Sequence, residues 1–307
     1  MTLLERAVGQ HTNRLQVLTY HRIIDRRGFE QQAKYLAANY RVISMTELLM
    51  CCNGDHKLLP GSIMITFDDA YYDFAEIAWP TLKRHKLPVT LFVPTGFPDQ
   101  SERIFWWDRL QHALNRTSRR ERINTPIGWI SLTTELQRQQ AYERLRRYVK
   151  TLTHNEALYW TYHFCDDLDA PPPEHDVLGW DALRQLVSEG VTLGAHTRNH
   201  PLMNRISAKE ARAEVDGSLK DLEREIGAVM PIFAYPDGRF SDEVVRIVKD
   251  AGIVLAFTTV RGTNDLDYAD RLRLRRNDIQ RLTLPVLRAR LLHSSPYLNK
   301  VRPVTSS

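Results

Sequence analysis

The stretch IMITFDDAYYDF, residues 63–74, ends a short apolar run with two adjacent carboxylates, Asp68 and Asp69. The run itself reads as a buried strand. Neighbouring like charges repel each other and lose hydration on burial, so they persist in a cleft only where something compensates them. One compensation is a bound cation. The other is a helix N-terminus, because an Asp at a strand-to-helix junction accepts from the free N–H groups of the first turn. The segment alone leaves both open.

Outward from this stretch, apolar runs predict further strands at 16–20, 62–67, 89–93, 191–195, 232–235 and 254–258, with helices at 29–39, 73–85, 180–189, 208–226 and 242–251. Ser207 and Glu210 in SAKE have the spacing of a capping box at the start of one of these helices. Strand and helix in alternation call for parallel strands joined by helical crossovers, and six or seven units in 307 residues suggest a barrel or a wide open sheet. The rhythm breaks at about 105–178, a polar, mostly helical stretch closed by the stiff APPPEH linker. It reads as an insertion within one domain spanning 1–307, too polar and too short for a large core of its own.

The net charge of +5 is small, and its Lys/Arg-rich stretches are interleaved with acidic or apolar residues. Without a zinc-finger, RNA-recognition or basic-zipper pattern, these are solvated faces and no nucleic-acid partner is expected. Three cysteines, two of them adjacent at Cys51 and Cys52, make no disulfide framework. No signal-peptide-like stretch precedes the first strand and no run reaches 18 apolar residues, so the expected location is the cytoplasm, with peripheral attachment to the inner membrane face left open.

A second informative segment is GVTLGAHTRNH, residues 190–200, where an apolar strand ends in His196 and His200. Four residues apart, the two imidazoles can meet on one side of a helical turn and share a metal. Such a pair arises readily by chance among 11 histidines, so position carries more weight than spacing. Both segments follow predicted strands at the C-terminal rim of a parallel sheet, where α/β enzymes assemble their sites. Two histidines and one carboxylate leave coordination positions open, as a catalytic metal requires, and the second Asp is then free to act as a base toward water.

These residues resemble the polysaccharide deacetylases of the NodB-homology type, carbohydrate esterase family 4. TFDD is similar to the first family motif, HTRNH matches the second, H-[ST]-x-x-H, in full, and the likeness extends from VLTYHRI to FAYPDGRF. The resemblance implies a distorted (β/α) barrel and hydrolysis of an N-acetyl group on an amino sugar of a polysaccharide or lipid-linked oligosaccharide. It implies Asp68 as base and Asp69, His196 and His200 as ligands of Zn²⁺, with Co²⁺ or Ni²⁺ as substitutes. In the third motif, usually R-x-P-Y-G, this chain has Ala234, Tyr235, Pro236, Asp237 and Gly238, as in the exopolysaccharide branch. The oxyanion-binding N–H then falls to Asp237, since the turn depends on Pro and Gly geometry. The missing Arg is sought in LRLRRNDI, at Arg276 rather than Arg275. The YH of the same branch implies His21 as general acid, with His293 the late alternative.

Aromatic side chains near the motifs, Tyr235, Trp107 and Trp180 among them, together with Pro236, are candidates for the wall of a sugar groove, and FWWD at 105–108 opens the insertion with such a wall. Rival readings are a deformylase or deacylase acting on another N-acyl substrate through the same residues, and a catalytically silent glycan-binding relative. A serine esterase is disfavoured, because no G-x-S-x-G elbow occurs.

Overall fold

A computed structural model describes residues 13–119 and 121–293. Its first unit runs through β1 (Arg14–Tyr20), α1 (Arg26–Asn39), the two-residue strand β2 (Arg41–Val42) and α2 (Met45–Asn53). Ser44 caps α2 by accepting from the Glu47 N–H. β3 (Ser62–Asp68) is buried along its whole length. After it the chain forms a π-helical turn over Phe74–Ala78 and becomes regular only in α3 (Trp79–Arg84), where Pro80 has no N–H to donate. β4 (Thr90–Val93) completes this part.

The stretch that breaks the sequence rhythm folds as α4 (Trp106–Arg116), the hairpin β5 (Arg122–Thr125) and β6 (Gly128–Ser131), α5 (Glu135–Val149) and α6 (His154–Asp167). A separate apolar cluster, including Leu110, Leu114, Leu145 and Phe164, lies among these elements. Buried Arg138 fixes the connection into the hairpin by donating to the carbonyls of Leu132, Leu114, Asn115, Thr117 and Arg119. The alternation then resumes with α7 (Trp180–Ser188), β7 (Thr192–Ala195), α8 (Ala208–Ile226), β8 (Ile232–Ala234), α9 (Asp242–Asp250) and β9 (Leu255–Phe257). Ser207 and Glu210 form the expected capping box on α8. Two short strands, β10 (Asn264–Asp265) and β11 (Asn277–Asp278), and α10 (Leu284–His293) follow.

Strands pair in the order β1-β3-β4-β7-β8-β9, all parallel. Leu274 bridges to Phe257 and β11 pairs with β1, so the sheet curls round towards closure through the segment 274–278. This is the distorted barrel that the resemblance implied; the strand and helix alternation alone had left a barrel and a wide open sheet open. Side chains alternate across each strand. On β3, Ile63, Ile65 and Phe67 pack outward with the residues of α1 and α3, whereas Met64 joins the inner cluster of Leu15, Val17, Phe92, Ile232 and Phe257. Thr66 and Asp68 share the parity of Met64, so the last carboxylate of the strand looks into the curl. Gly194 on β7 keeps that interior closed, since a Cβ there would stand 2.6 Å from the Phe92 ring.

Candidate active site

The cap reading of the two aspartates fails on the backbone. Asp68 is the last residue of β3, and Asp69 (φ 73°) and Ala70 (φ 54°) turn through the left-handed region before the π-helical turn begins at Phe74. Neither carboxylate reaches a helix N-terminus. Asp68 instead receives two parallel hydrogen bonds from Arg276, Nη1 to Oδ1 and Nη2 to Oδ2, each 2.7 Å. Arg276 is itself buried, and its Nε donates to the Thr258 carbonyl at 3.0 Å. Arg275 turns the other way, with its Nη1 on the Arg261 carbonyl. Burial pushes the Asp68 carboxyl up, but the Arg276 guanidinium, with smaller help from His196 and His21, holds it well below the usual carboxylate range. Asp68 is therefore held as a carboxylate in a fixed orientation.

Asp69 faces the two histidines. Its Oδ1 lies 3.6 Å from His196 Nε2 and 3.3 Å from His200 Nε2. All three residues are buried. The histidines do not share a helical turn, as their spacing suggested; residues 196–200 form a loop in which Thr197 (φ 63°) and His200 (φ 54°) are left-handed. The Thr197 hydroxyl accepts from the His200 N–H at 3.0 Å and so closes that loop. His196 Nδ1 lies 2.7 Å from the Ala234 carbonyl, which makes Nδ1 the donor and leaves the Nε2 lone pair facing Asp69. Burial lowers the His196 pKa to about 4, so the imidazole is neutral, as a ligand must be.

Chemistry and geometry together fit a divalent metal. Asp69 Oδ1 is buried and has no hydrogen-bond partner among the described residues. Ligand atoms about 2.1 Å from a tetrahedral ion stand about 3.4 Å apart, and the two contacts of Asp69 Oδ1 lie either side of that separation. Among the described residues this is the one His/Asp/Glu/Cys cluster that can hold an ion.

His21 follows β1 at the same rim. Its Nε2 lies 3.7 Å from Asp68 Oδ2, and its backbone N–H donates to the Gln280 side chain at 3.0 Å. His293 ends α10, and its side chain lies outside the described part of the structure. Pro236 and Asp237 follow β8 in a 3-10 turn, with Asp237 left-handed at φ 52°. The Asp237 carboxylate meets Lys150 of the insertion at 2.6 Å.

Two groove assignments are corrected. The Tyr235 side chain is completely buried, with its hydroxyl on the Leu272 carbonyl and its ring against Phe233 and Phe240, so it fills core. Trp180 is 7% exposed and lines a separate cavity of 380 Å³ with Arg103, Arg198 and Asp221, behind the histidine loop. Trp107 stands beside the candidate site: its ring centroid is 4.8 Å from that of His200, and it stacks on Phe105 at 4.5 Å. A chain of contacts absent from the sequence reading holds it there. Trp107 Nε1 donates to the Tyr71 hydroxyl at 2.9 Å, Tyr71 donates to Asp108 at 2.7 Å, and Arg22 stacks over the Tyr71 ring at 3.6 Å. Burial raises the Asp108 carboxyl above its ordinary pKa, against the pull of Arg22. Asp108 stands three residues into FWWD and Arg22 next to His21, which was the available signal.

Comparison with known proteins agrees with this architecture. The family model for polysaccharide deacetylase matches residues 55–256. YxkH of Bacillus subtilis, a protein named for the same family, is 20% identical over 262 residues, 83% of this chain and 67% of that one. The deacetylase PplD of Streptococcus pyogenes superposes with a TM-score of 0.62 at 17% identity, over 92% of this chain and 98% of its own. IcaB from Ammonifex degensii gives 0.60 at 18% identity, over 92% and 97%. The BpsB deacetylase domain from Bordetella bronchiseptica gives 0.59 at 15%, over 87% and 96%. At these identities the structures establish a shared fold. The match by sequence takes in both aspartates and both histidines but stops short of His21 and Arg276, and on it this chain belongs to the polysaccharide deacetylase family.

Proposed function

We propose that the chain is a metal-dependent hydrolase that removes the acetyl group from an N-acetyl amino sugar within a glycan. The observation that carries this reading is the buried triangle of Asp69, His196 and His200 beside a carboxylate, Asp68, that Arg276 keeps ionised. Asp69, His196 and His200 would hold the ion, for which Zn²⁺ suits the two nitrogens and one oxygen, with Co²⁺ or Ni²⁺ as substitutes. When bound, the ion supplies Lewis acidity toward water and toward the acyl carbonyl.

The chain's own residues do the rest. Asp68 takes a proton from water as the water oxygen bonds to the acyl carbon. The backbone N–H of Asp237 donates to the oxygen that becomes negative. His21 gives a proton to the sugar nitrogen as the C–N bond breaks, so the products are acetate and a free amine. Trp107 offers an aromatic face to the sugar.

Acetate and free amine released from N-acetylglucosamine oligomers by the metal-loaded protein test the reading. Equal amounts of both from the parent, and neither from Asp68→Asn, are expected. Metal-loaded parent protein that releases neither contradicts it.

A further inference from the structure

The third motif puts a carboxylate on the residue whose N–H is assigned to the oxyanion. Asp237 carries the N–H assigned to the developing oxyanion, and its own side chain is an acid in the position the family usually gives to Tyr. A negative charge next to an oxyanion donor opposes the charge that forms during attack. We propose that Lys150, from the insertion, is a positioning residue that acts by its charge, neutralising the Asp237 carboxylate beside the N–H assigned to the oxyanion. The proposal rests on the deacetylase reading above.

Several observations carry it. Lys150 Nζ lies 2.6 Å from Asp237 Oδ1, with both side chains more than two thirds withdrawn from solvent, while Arg239 Nε approaches the other oxygen at 3.5 Å. Two cations therefore flank one carboxylate. The backbone between them is tightly specified. Asp237 is left-handed, which Asp tolerates better than most residues, and Gly238 (φ 65°) has no room for a Cβ, which would stand 2.5 Å from the Thr259 backbone nitrogen. The Thr259 hydroxyl donates to the Asp237 carbonyl at 3.2 Å. Lys150 reaches this turn from the insertion and stands at the C-cap of α5. Four residues on, His154 begins α6.

A lysine at a helix C-terminus also favours the helix dipole, so the test must separate charge neutralisation from a tether. Acetate release is measured on metal-loaded full-length parent, Lys150→Met, Lys150→Arg and the double variant Lys150→Met/Asp237→Asn, with thermal unfolding recorded for each. Lys150→Met is expected to lower kcat about tenfold with KM within about twofold of the parent. Lys150→Arg restores most of the loss. So does the double variant, because no carboxylate remains to be neutralised. Parental kcat in Lys150→Met, or a double variant no faster than the single one, overturns the proposal and leaves Lys150 a tether. If Lys150→Met does not fold, the double variant against the parent carries the readout, and a tenfold deficit there overturns it equally. An inactive parent strikes the deacetylase reading, and this proposal with it.

Discussion

Arg276 and Asp68 form a bidentate ion pair across 208 positions of sequence, with both side chains buried. Its two parallel N–H···O bonds fix the orientation of the carboxylate as well as its charge. Removing the cation leaves a buried charge without compensation. Arg276→Met is expected to destabilise the protein by about 3–5 kcal/mol and to lower kcat/KM at neutral pH by about a hundredfold or more. Arg276→Lys falls between, because an ammonium cannot reproduce the planar fork. Denaturant unfolding and steady-state kinetics on the same preparations check both.

The same pair sets a pH dependence. The folded pKa of Asp68 is depressed, so its stabilising contribution is complete above the unfolded carboxyl value of about 3.9 and is lost as pH falls through the folded one. In the parent the base therefore stays ionised throughout the neutral range, and the acid limb of kcat/KM comes from another group. In Arg276→Gln burial prevails, the Asp68 pKa rises, and an acid limb is expected to move upward into the assay range. A pH profile with its acid limb unmoved by the substitution would contradict this.

His21 is tested by the leaving group. An amine must be protonated as it departs, whereas a phenolate need not be. His21→Gln is expected to lower amide hydrolysis about a hundredfold and to leave hydrolysis of an aryl acetate within about threefold of the parent. Equal losses on both substrates would assign the imidazole a structural task.

The two aromatic environments separate in the same way. Tyr235→Phe deletes a buried hydroxyl from the Leu272 carbonyl, so it is expected to cost about 1 kcal/mol of stability with KM unchanged. Trp107→Ala removes a ring beside His200 and is expected to raise KM about tenfold for oligomers, with folding retained. Unfolding midpoints and KM values on one oligomer series distinguish them.

The strands were legible because their apolar runs are short and sharply punctuated: the run expected at 62–67 is β3, Ser62–Asp68, and its alternation aims Asp68 inward. Strand ends also located the histidines, but the loop that joins them, left-handed at Thr197 and His200, carries no glycine to announce it. The hairpin at 122–131 was hidden in polar sequence, and α2 in a run apolar on nearly every side. Nothing local ties Arg276 to Asp68; only the resemblance pointed there. Tyr235 misled because an aromatic beside a motif reads alike whether it lines a groove or fills a core, and only the carbonyl of Leu272, 37 residues on, decides.

The central claim, that one ion at Asp69, His196 and His200 enables Asp68 to drive amide hydrolysis, is tested most directly by titrating metal-stripped protein with Zn²⁺ while counting released acetate. Expected are no release from the stripped protein, a linear rise that saturates at about one ion per chain, and no recovery in His200→Ala at the same concentration. Full activity after stripping, or undiminished recovery in His200→Ala, would contradict it.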